Sequence, residues 1–356
     1  MSKVWYAPLG AEEKQEVIAA KVVELFEVAG FEKIFNKKDF VAVKLHFGEQ
    51  NNTGYIKPAF IKPLLEKIKG YETKPFLTDT NTLYRGQRTN SVDHLVQAYE
   101  HGFSIENLGV PVIIADGLMS RNHTEVSIPG NHFDKVAIAN DVVDSDVLVV
   151  LSHMTGHILT GMGAAIKNLG MGAAPRSGKQ KQHADVKPIV KRDRCHTCGS
   201  CIRRCPVGAI AYVDGSAHID HEKCYGCAEC VAACRTGAVR VPESSSGILL
   251  QEKMAEYALG AIQGKEGKMC FFNFLIHITK ECDCIKEAQD KVIEDIGILA
   301  SYDPVAIDQA SLDLLTKIAG RNLFRELWPE NDHQVQLAYS EKLGLGSRKY
   351  ELEKIE

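Results

Sequence analysis

The sequence predicts an α/β fold with a mostly parallel sheet, helices on both faces, and a cysteine-rich insert that interrupts the chain. Apolar runs of strand length alternate with segments in which apolar residues recur every three and four positions. Such alternation favours parallel strands, because a crossover helix returns the chain to the edge of the sheet where it started. Eight of the eleven cysteines fall between the two halves of this pattern. We therefore expect an α/β domain in two parts, 1–188 and 243–356, around an insert at 189–242.

The predicted elements follow one another in a regular order. The strands before the insert are the runs VAVKLHF (41–47), PFLTDT (75–80), PVIIAD (111–116) and VLVVLS (147–152). The helical patterns between them are IKPAFIKPLLEKIKG, SVDHLVQAYEHG and FDKVAIANDVV. After the insert come a helix (ILLQEKMAEYALGAI), two strands (MCFFNFLI and IGILAS) and a last helix (PVAIDQASLDLLTKIA).

The composition excludes several classes of protein. The 356 residues are 45% hydrophobic and 25% charged, which is typical of a globular protein, and the net charge of -4 argues against nucleic acid as the main partner. The N-terminal MSKVWYAPLGAEEKQ lacks a signal-peptide core, and no window reaches the roughly 18 apolar residues of a membrane span. We expect a cytoplasmic protein with no membrane partner. Its cysteines should be metal ligands or catalytic thiols, since the cytosol keeps thiols reduced.

Two cysteine runs share one spacing, C-x2-C-x2-C-x3-C. The first run is Cys195, Cys198, Cys201 and Cys205, and the second is Cys224, Cys227, Cys230 and Cys234. Three thiolates in a tight loop bind three irons of a cubane, and the fourth cysteine ligates the other cluster. The spacing therefore predicts two [4Fe-4S] clusters. The first is held by Cys195, Cys198, Cys201 and Cys234, and the second by Cys224, Cys227, Cys230 and Cys205.

The alternative to the clusters is a pair of zinc ribbons. Zinc sites pair two C-x2-C knuckles, so the third and fourth cysteines of each run would have no role in them. The segment from about 189 to 242 resembles a bacterial two-cluster ferredoxin, although Arg235 stands where that pattern usually has proline.

Polar loops follow the predicted strands. In open parallel sheets, ligands bind where the carboxyl ends of the strands meet. The sequence places His46, Asp79 and Asp116 there, together with the segment Ser152–Gly172 and the loops HITKECDC and SYDPVAID. We expect the candidate catalytic residues to be His46, Asp79, His153, His157, Cys282, Asp283 and Cys284.

The segment Ser152–Gly172 is rich in glycine. Its backbone amides would approach a bound anion, with Lys167 and Asn168 binding a cofactor on the helix that follows. Alternatively, the glycines serve close packing of a helix on the sheet. His153 and His157, four positions apart, would share one face of a turn and act as ligands or proton carriers, or be structural.

Cys282 and Cys284 lie outside both cysteine runs. In an extended chain, side chains at i and i+2 point the same way, so the pair would present two soft ligands to a further metal or cluster, completed by neighbouring histidines. Alternatively, one thiolate beside Asp283 is a nucleophile, or the pair is incidental to the loop. Cys270, inside a predicted strand, is expected to be a small core residue.

The loops as a set resemble the domain-of-unknown-function family 362, whose members are labelled uncharacterised iron-sulfur centre proteins. The resemblance rests on VAVKLHFGEQNNTGYIKP, LTDTNTLYRGQR, SHMTGHILTGMGAAIKNLGMG, FFNFLIHITKECDC and ILASYDPVAIDQASLD. It covers nearly the whole chain. It implies an α/β domain with an inserted ferredoxin unit, and no assigned reaction.

A basic segment, Pro175–Arg194, precedes the insert and holds seven Lys or Arg residues against two Asp residues. It is either a solvated linker or a docking patch for an acidic electron carrier, such as a ferredoxin or flavodoxin, or for a phosphorylated ligand.

Two classes of function fit the sequence. The first is an iron-sulfur oxidoreductase, in which two [4Fe-4S] clusters pass electrons to or from a small-molecule substrate at the carboxyl edge of the sheet. The second is an electron-transfer or metal-carrier protein whose α/β domain binds a partner. The number of polar residues in the loops favours the enzyme, and no flavin or nicotinamide fingerprint is present.

Overall fold

The computed structural model describes residues 1–83, 86–183, 187–205, 207–224, 230, 233–234, 236–240 and 247–356. Its strands are β1 (Ser2–Pro8), β2 (Phe40–Lys44), β3 (Lys74–Asp79), β4 (Val112–Ile114), β5 (His123–Ser127), β6 (Lys135–Ala139), β7 (Val147–His153), β8 (Thr155–His157), β9 (Gly161–Gly163), β10 (Ile189–Val190), β11 (Ile210–Val213), β12 (Ser216–Ile219), β13 (Val239–Arg240), β14 (Met269–Leu275), β15 (Gly297–Ser301) and β16 (Tyr350–Lys354). Its α-helices are α1 (Gln15–Val28), α2 (Pro58–Gly70), α3 (Ser91–Glu100), α4 (Ile105–Leu108), α5 (Asn140–Val143), α6 (Ala165–Gly170), α7 (Arg176–Gln182), α8 (Ser200–Arg204), α9 (Gly247–Ile262), α10 (Pro304–Ala319), α11 (Leu323–Leu327) and α12 (Gln334–Lys342). None of the helices in the described ranges is both long and apolar enough to span a bilayer.

An eight-stranded sheet forms the centre of the fold, in the order β16-β1-β15-β14-β7-β2-β3-β4. Every neighbouring pair in it is parallel except the two pairs made by β15. The predicted α/β class with a mostly parallel sheet is therefore confirmed.

The reversed direction of β15 corrects one prediction. The loop SYDPVAID follows β15, so it lies at the opposite edge of the sheet from the loops that follow β2, β3, β7 and β14. Asp303 in this loop instead caps α10, because its side chain accepts hydrogen bonds from the backbone N–H groups of Val305 and Ala306. It is therefore a structural residue.

Hydrophobic cores cover both faces of the sheet. Alternate residues of each strand enter opposite cores: Val147 and Val149 pack on one side with α1 and α2, while Leu148 and Val150 pack on the other with α6, α9 and α10. The central strands β7 and β14 are buried along almost their whole length. Burial of each Phe or Leu side chain contributes about 2 kcal/mol to the stability of the fold. The loops at the ends of these strands are therefore attached to a rigid support.

The sequence prediction misjudged some elements. FDKVAIANDVV, predicted as helix, forms strand β6 and the short helix α5, because Val136 to Ala139 are all buried against β5 and α9 and have no helical periodicity. Strand β1 and the edge strand β16 were not predicted.

The insert has a small core of its own. Two two-stranded sheets, β10-β13 and β11-β12, and helix α8 surround a cluster of buried apolar side chains that includes Ile210, Ile219 and Val239. Cys227, Arg235 and the segment 241–246 lie outside the described residues. The boundaries at 189 and 242 stay predictions.

Candidate active site

The carboxyl ends of the parallel strands open into one cavity, which we call the polar cavity. Its wall is built by β2, β3, β7, α6 and the loop after β14. Eight of the predicted residues line it: His46, Asp79, His153, Lys167, Asn168, Cys282, Asp283 and Cys284. The fold thus brings together side chains as far as 238 positions apart in the sequence. Their chemical roles stay predictions.

Cys282 and Cys284 lie in a turn rather than on an extended strand. The N–H of Ile285 donates to the carbonyl oxygen of Cys282 at 3.0 Å, and this turn brings the two sulfurs together. The hydrogen bond between the sulfurs, reinforced by burial, raises the pKa of Cys282 well above its ordinary value. The same bond, with His46 and Lys167 nearby, holds the pKa of Cys284 well below its ordinary value. These opposite shifts favour a thiol at Cys282 and a thiolate at Cys284.

His46 approaches the thiolate through a defined ring nitrogen. Its Nδ1 accepts a hydrogen bond from the N–H of Gly48 at 3.0 Å, so the proton of a neutral ring resides on Nε2. That Nε2 lies 3.5 Å from the Sγ of Cys284. His46 thus donates toward the thiolate and stabilises its charge.

His153 and Asp283 form a buried ion pair, with Nδ1 and Oδ2 2.9 Å apart. The Nε2 of His153 faces the carbonyl oxygen of Ile276 at 2.8 Å, so both ring nitrogens face acceptors. Burial alone would lower the pKa of His153, but attraction to Asp283 outweighs burial and the pKa is raised. Asp283 stands between the two cysteines, so the pair fixes the turn that carries them. The predicted proton-carrying role of His153 stays a prediction.

Gly54 makes room for this ion pair. A Cβ on Gly54 would lie 2.9 Å from Oδ1 of Asp283 and 3.5 Å from Cε1 of His153. Any side chain at this position would displace the carboxylate between the two cysteines.

A second buried charge network lies on the other side of the polar cavity. The Nζ of Lys44 lies 2.9 Å from Oδ1 of Asp79, and Arg88 contacts both Glu49 at 3.2 Å and Asp79 at 3.4 Å. Burial opposes ionisation of Asp79, but the surrounding cations overcome it and lower the pKa of this carboxyl. Asp79 is thus a permanent counter-ion rather than a proton donor.

Lys44, Arg88 and Glu49 were not among the predicted site residues. Lys44 is the last residue of β2, whose other residues are apolar, and its side chain is only 1% exposed. A lysine that directly follows an apolar strand run is the signal that could have identified it, because buried lysines require partners. Asn168, predicted to bind a cofactor, accepts a hydrogen bond from Lys44 at 2.7 Å and donates to the carbonyl of Leu151. It positions the lysine.

Lys179 corrects the prediction for the basic segment. Instead of lying in a solvated linker or docking patch, it is buried on α7, and its ammonium donates to Thr80 Oγ1 at 2.5 Å, Asn81 O at 2.6 Å and Ala174 O at 3.0 Å. Burial lowers the pKa of Lys179 to about 8. It lines the polar cavity.

A second cavity, which we call the apolar cavity, adjoins the first. Thr82, Lys167, Met171, Lys179, Cys282 and Cys284 line both cavities. His157 lines only the apolar cavity, so it does not share a face with His153 as predicted. Its Nδ1 accepts from the N–H groups of Leu159 and Thr160, and burial lowers its pKa well below the ordinary value, so the ring is neutral.

The glycine-rich segment serves packing. The N–H groups of Ala165 and Ile166, which would have approached an anion, donate to the carboxylate of Asp308 at 2.8 and 2.9 Å. A Cβ on Gly170 would overlap the backbone of Met254 in α9. Of the two alternatives in the sequence, close packing of the helix is therefore the one that the geometry supports.

The described cysteines of the insert also gather. Cys195, Cys198, Cys201 and Cys234 line one small cavity, and backbone N–H groups of Ala217 and Val239 donate to the sulfurs of Cys195 and Cys234 at 3.4 and 3.3 Å. Cys205, Cys224 and Cys230 pack around the same small core. In the described part of the chain, no three His, Cys, Asp or Glu side chains are arranged to hold a single metal ion.

A groove joins the insert to the loops of the site. Arg204 and Ala233, the neighbours of Cys205 and Cys234, line it together with Leu83 and Lys286, which follow Thr82 and Cys284 closely in the sequence. Residues close in sequence to both cysteine runs and to the cysteine pair therefore line a common groove.

Comparison with known proteins gives a family and two similar structures. A family model described as Domain of unknown function (DUF362) matches residues 41–313. The structure of the lactate racemase apoprotein from Thermoanaerobacterium thermosaccharolyticum is similar at 12% identity and a TM-score of 0.41, covering 78% of this chain and 51% of that one. A protein from Thermotoga maritima is similar at 12% identity and a TM-score of 0.39, covering 88% of this chain and 60% of that one. This chain thus spans about half the length of the first and three fifths of the second. The curated proteins gave no match.

Proposed function

This chain belongs to the DUF362 family, and we propose that it is an iron-sulfur oxidoreductase whose reacting group is the Cys282–Cys284 pair. The observation that carries the proposal is the thiol beside a thiolate at the junction of two cavities, on the carboxyl edge of the sheet. A thiolate is the nucleophilic and redox-active form of cysteine.

The cysteines of the first predicted ligand set fit a [4Fe-4S] cluster. The cavity lined by Cys195, Cys198, Cys201 and Cys234 contains the three cysteines of one run and the fourth of the other, which is the crossed ligand set that the spacing predicts. Backbone N–H groups that donate to cysteine sulfurs are a recognised means of tuning cluster potential. Cubane ligands bind separate irons, so they need not meet around one point as the ligands of a single ion do. When bound, such clusters would supply one-electron transfer.

The chemistry of the pair balances as a two-electron couple. The Cys282 thiol and the Cys284 thiolate together lose two electrons and the one proton on Cys282 to form a disulfide, and the reverse step consumes two electrons and one proton. A substrate that accepts two electrons would oxidise the pair, and an external carrier of the ferredoxin or flavodoxin class would restore it. His46 and Lys167 stabilise the thiolate from which the cycle starts.

Thiol trapping tests the proposal. Anaerobically purified protein is oxidised, treated with reduced ferredoxin, and alkylated, and the peptide containing Cys282 and Cys284 is quantified by mass spectrometry. We expect that peptide to gain two alkyl groups only after reduction. In Cys201→Ala, which lacks a cluster ligand, ferredoxin should fail to reduce the pair while dithiothreitol still succeeds.

The matched control is Cys270→Ser, because Cys270 is buried alone in β14 and burial raises its pKa. This variant should behave as the wild type. A Cys282–Cys284 peptide whose alkylation never depends on the ferredoxin would contradict the proposal, and the second candidate, an electron-transfer or metal-carrier protein with no reacting site, would then account better for the chain.

A further inference from the structure

We infer that the site binds a small molecule with a single carboxylate at one end and an apolar body at the other. This inference rests on the proposed function, because it names the class of substrate that the cysteine pair would meet. It is carried by the charges of the polar cavity and by the side chains of the apolar cavity.

Four of the cations around the cysteine pair have an anionic partner close to them. Lys44 faces Asp79, Arg88 faces Glu49, and His153 faces Asp283, each at 3.2 Å or less. Lys167 lies beside the cysteine pair. Burial would lower its pKa, but attraction to Cys282 and Cys284 outweighs burial and raises it. These four cations each have an anionic partner.

Lys179 is the remaining cation. Its three hydrogen-bond partners are neutral oxygens, and within the described ranges no carboxylate lies within 4.0 Å of its ammonium. The carboxyl of Asp116 attracts the Lys179 ammonium over a longer distance, but it accepts its hydrogen bonds from Asn81 and Ser120. Burial raises the pKa of the Asp116 carboxyl. Burying an ammonium without a carboxylate in contact with it is costly. A carboxylate in the cavity that Lys167 and Lys179 both line would offset that cost.

Lys167 offers the direct contact for that carboxylate. Unlike Lys179, whose three protons are already donated, Lys167 is only half-buried and lines both cavities beside the cysteine pair. Gly163 allows this placement, because a Cβ there would lie 2.5 Å from the side-chain Cδ of Lys167. The anionic end of the ligand would therefore lie next to Cys284, within the reach of its reacting sulfur.

The apolar cavity accommodates the other end of the ligand. Its wall is formed by Leu83, Ile158, Leu159, Met171 and Ile285. Ile158 and Ile285 are 51% and 38% exposed, so the apolar surface continues to the solvent. Burial lowers the pKa of His157 and of His183, to about 4 in His183, and both rings favour the neutral form. Glu281 also lines this cavity, and burial raises the pKa of its carboxyl, which favours the protonated form. An apolar ligand group that covers this surface gains about 25 cal/mol of binding free energy per Å² of apolar area buried. A wholly polar ligand would not gain this energy.

Isothermal titration calorimetry of the anaerobic holoprotein tests the inference with three probes. 3-Phenylpropanoate has both ends, its amide lacks the charge, and acetate lacks the apolar body. We expect 3-phenylpropanoate to bind at least tenfold more tightly than either of the others, and to protect Cys284 from iodoacetamide.

Two variants localise the binding. Lys167→Met should abolish the preference for the acid over the amide, while Leu159→Asn should reduce the affinity for 3-phenylpropanoate toward that for acetate. Lys265→Met is the matched control, because Lys265 is a buried lysine that donates to the carbonyls of Val143 and Ser145, away from both cavities.

Equal binding of acid and amide by the wild type, or no binding of any probe, would overturn the inference. Neither result would contradict the proposed function, because the thiol-trapping experiment on Cys282 and Cys284 requires no substrate. Conversely, a pair that never responds to the ferredoxin would end the proposed function whether or not 3-phenylpropanoate binds.

Discussion

The two sulfur-bearing regions of this chain differ in how their chemistry is encoded. The cysteine runs of the insert owe their arrangement to spacing, so neighbouring positions supply most of the ligands. The Cys282–Cys284 pair owes its character to residues distant in the sequence: His46 in the loop after β2, Lys167 in α6, and His153 at the end of β7, which pairs with Asp283. Short spacing can therefore be read from the sequence as a ligand set, whereas thiol reactivity is a property of the assembled fold.

The largest expected effect concerns the crossed ligand set of the insert, and its failure would show that spacing does not determine the ligands. Replacing Cys234 with Ala should remove the cluster of the first run, because Cys234 shares a cavity with Cys195, Cys198 and Cys201. Iron should fall from about eight to about four atoms per chain, as measured by iron and sulfide analysis of the anaerobic protein. Loss of the cluster of the second run, with the first intact, would refute the assignment.

Removal of one buried charge would show how strongly the site depends on distant residues. Lys44→Met leaves Asp79 buried without its closest cation, so we expect a loss of about 3–5 kcal/mol in the free energy of unfolding measured with urea. Iron content should be unchanged. Lys37→Met is the control, because the Lys37–Glu72 pair is mostly exposed and its loss should lie within experimental error.

The same network predicts an acid dependence. The pKa of Asp79 is depressed in the folded state, so its contribution to stability is present above the unfolded pKa of about 4 and is lost as the pH falls below it. Asp79→Asn should therefore make stability less steeply dependent on pH in that range. A variant with the slope of the wild type would show that other carboxylates cause the acid loss.

The pH dependence of alkylation sharpens the contrast between the pair and ordinary cysteine. Because the pKa of Cys284 is lowered, its rate with iodoacetamide should fall less between pH 8 and pH 6 than that of a free cysteine, which slows about tenfold per pH unit. His46→Phe should restore part of the slope. Peptide mapping identifies the labelled residue, and an ordinary cysteine profile at Cys284 would contradict the thiolate assignment.

The smallest expected effect concerns the insert and its electron carrier. Exposed charge acts over about 8 Å at physiological salt, so reduction by an acidic ferredoxin should slow a fewfold as ionic strength rises. Lys181→Glu and Lys191→Glu should each slow it at low salt, whereas Lys179 is buried and belongs to the site. A rate indifferent to salt and to both reversals would leave the exposed part of this segment as a linker.

The sequence predicted the parallel strands and the gathering of polar loops because both follow from local patterns. The direction of β15 could not be predicted, since the apolar run IGILAS has the same pattern in either orientation. Arg88 and Lys179 were missed because they stand in polar stretches, and only the fold shows that they are buried beside Asp79 and Thr80. The thiolate of Cys284 likewise depends on contacts that no spacing reveals.

A count of electrons tests the central claim most directly. Coulometric reduction of the oxidised holoprotein should consume about four electrons per chain, about one for each cluster and two for the Cys282–Cys284 disulfide. The double variant Cys282→Ser/Cys284→Ser, with the same iron content, should consume about two. Equal counts for the two proteins would contradict the claim that the pair exchanges electrons.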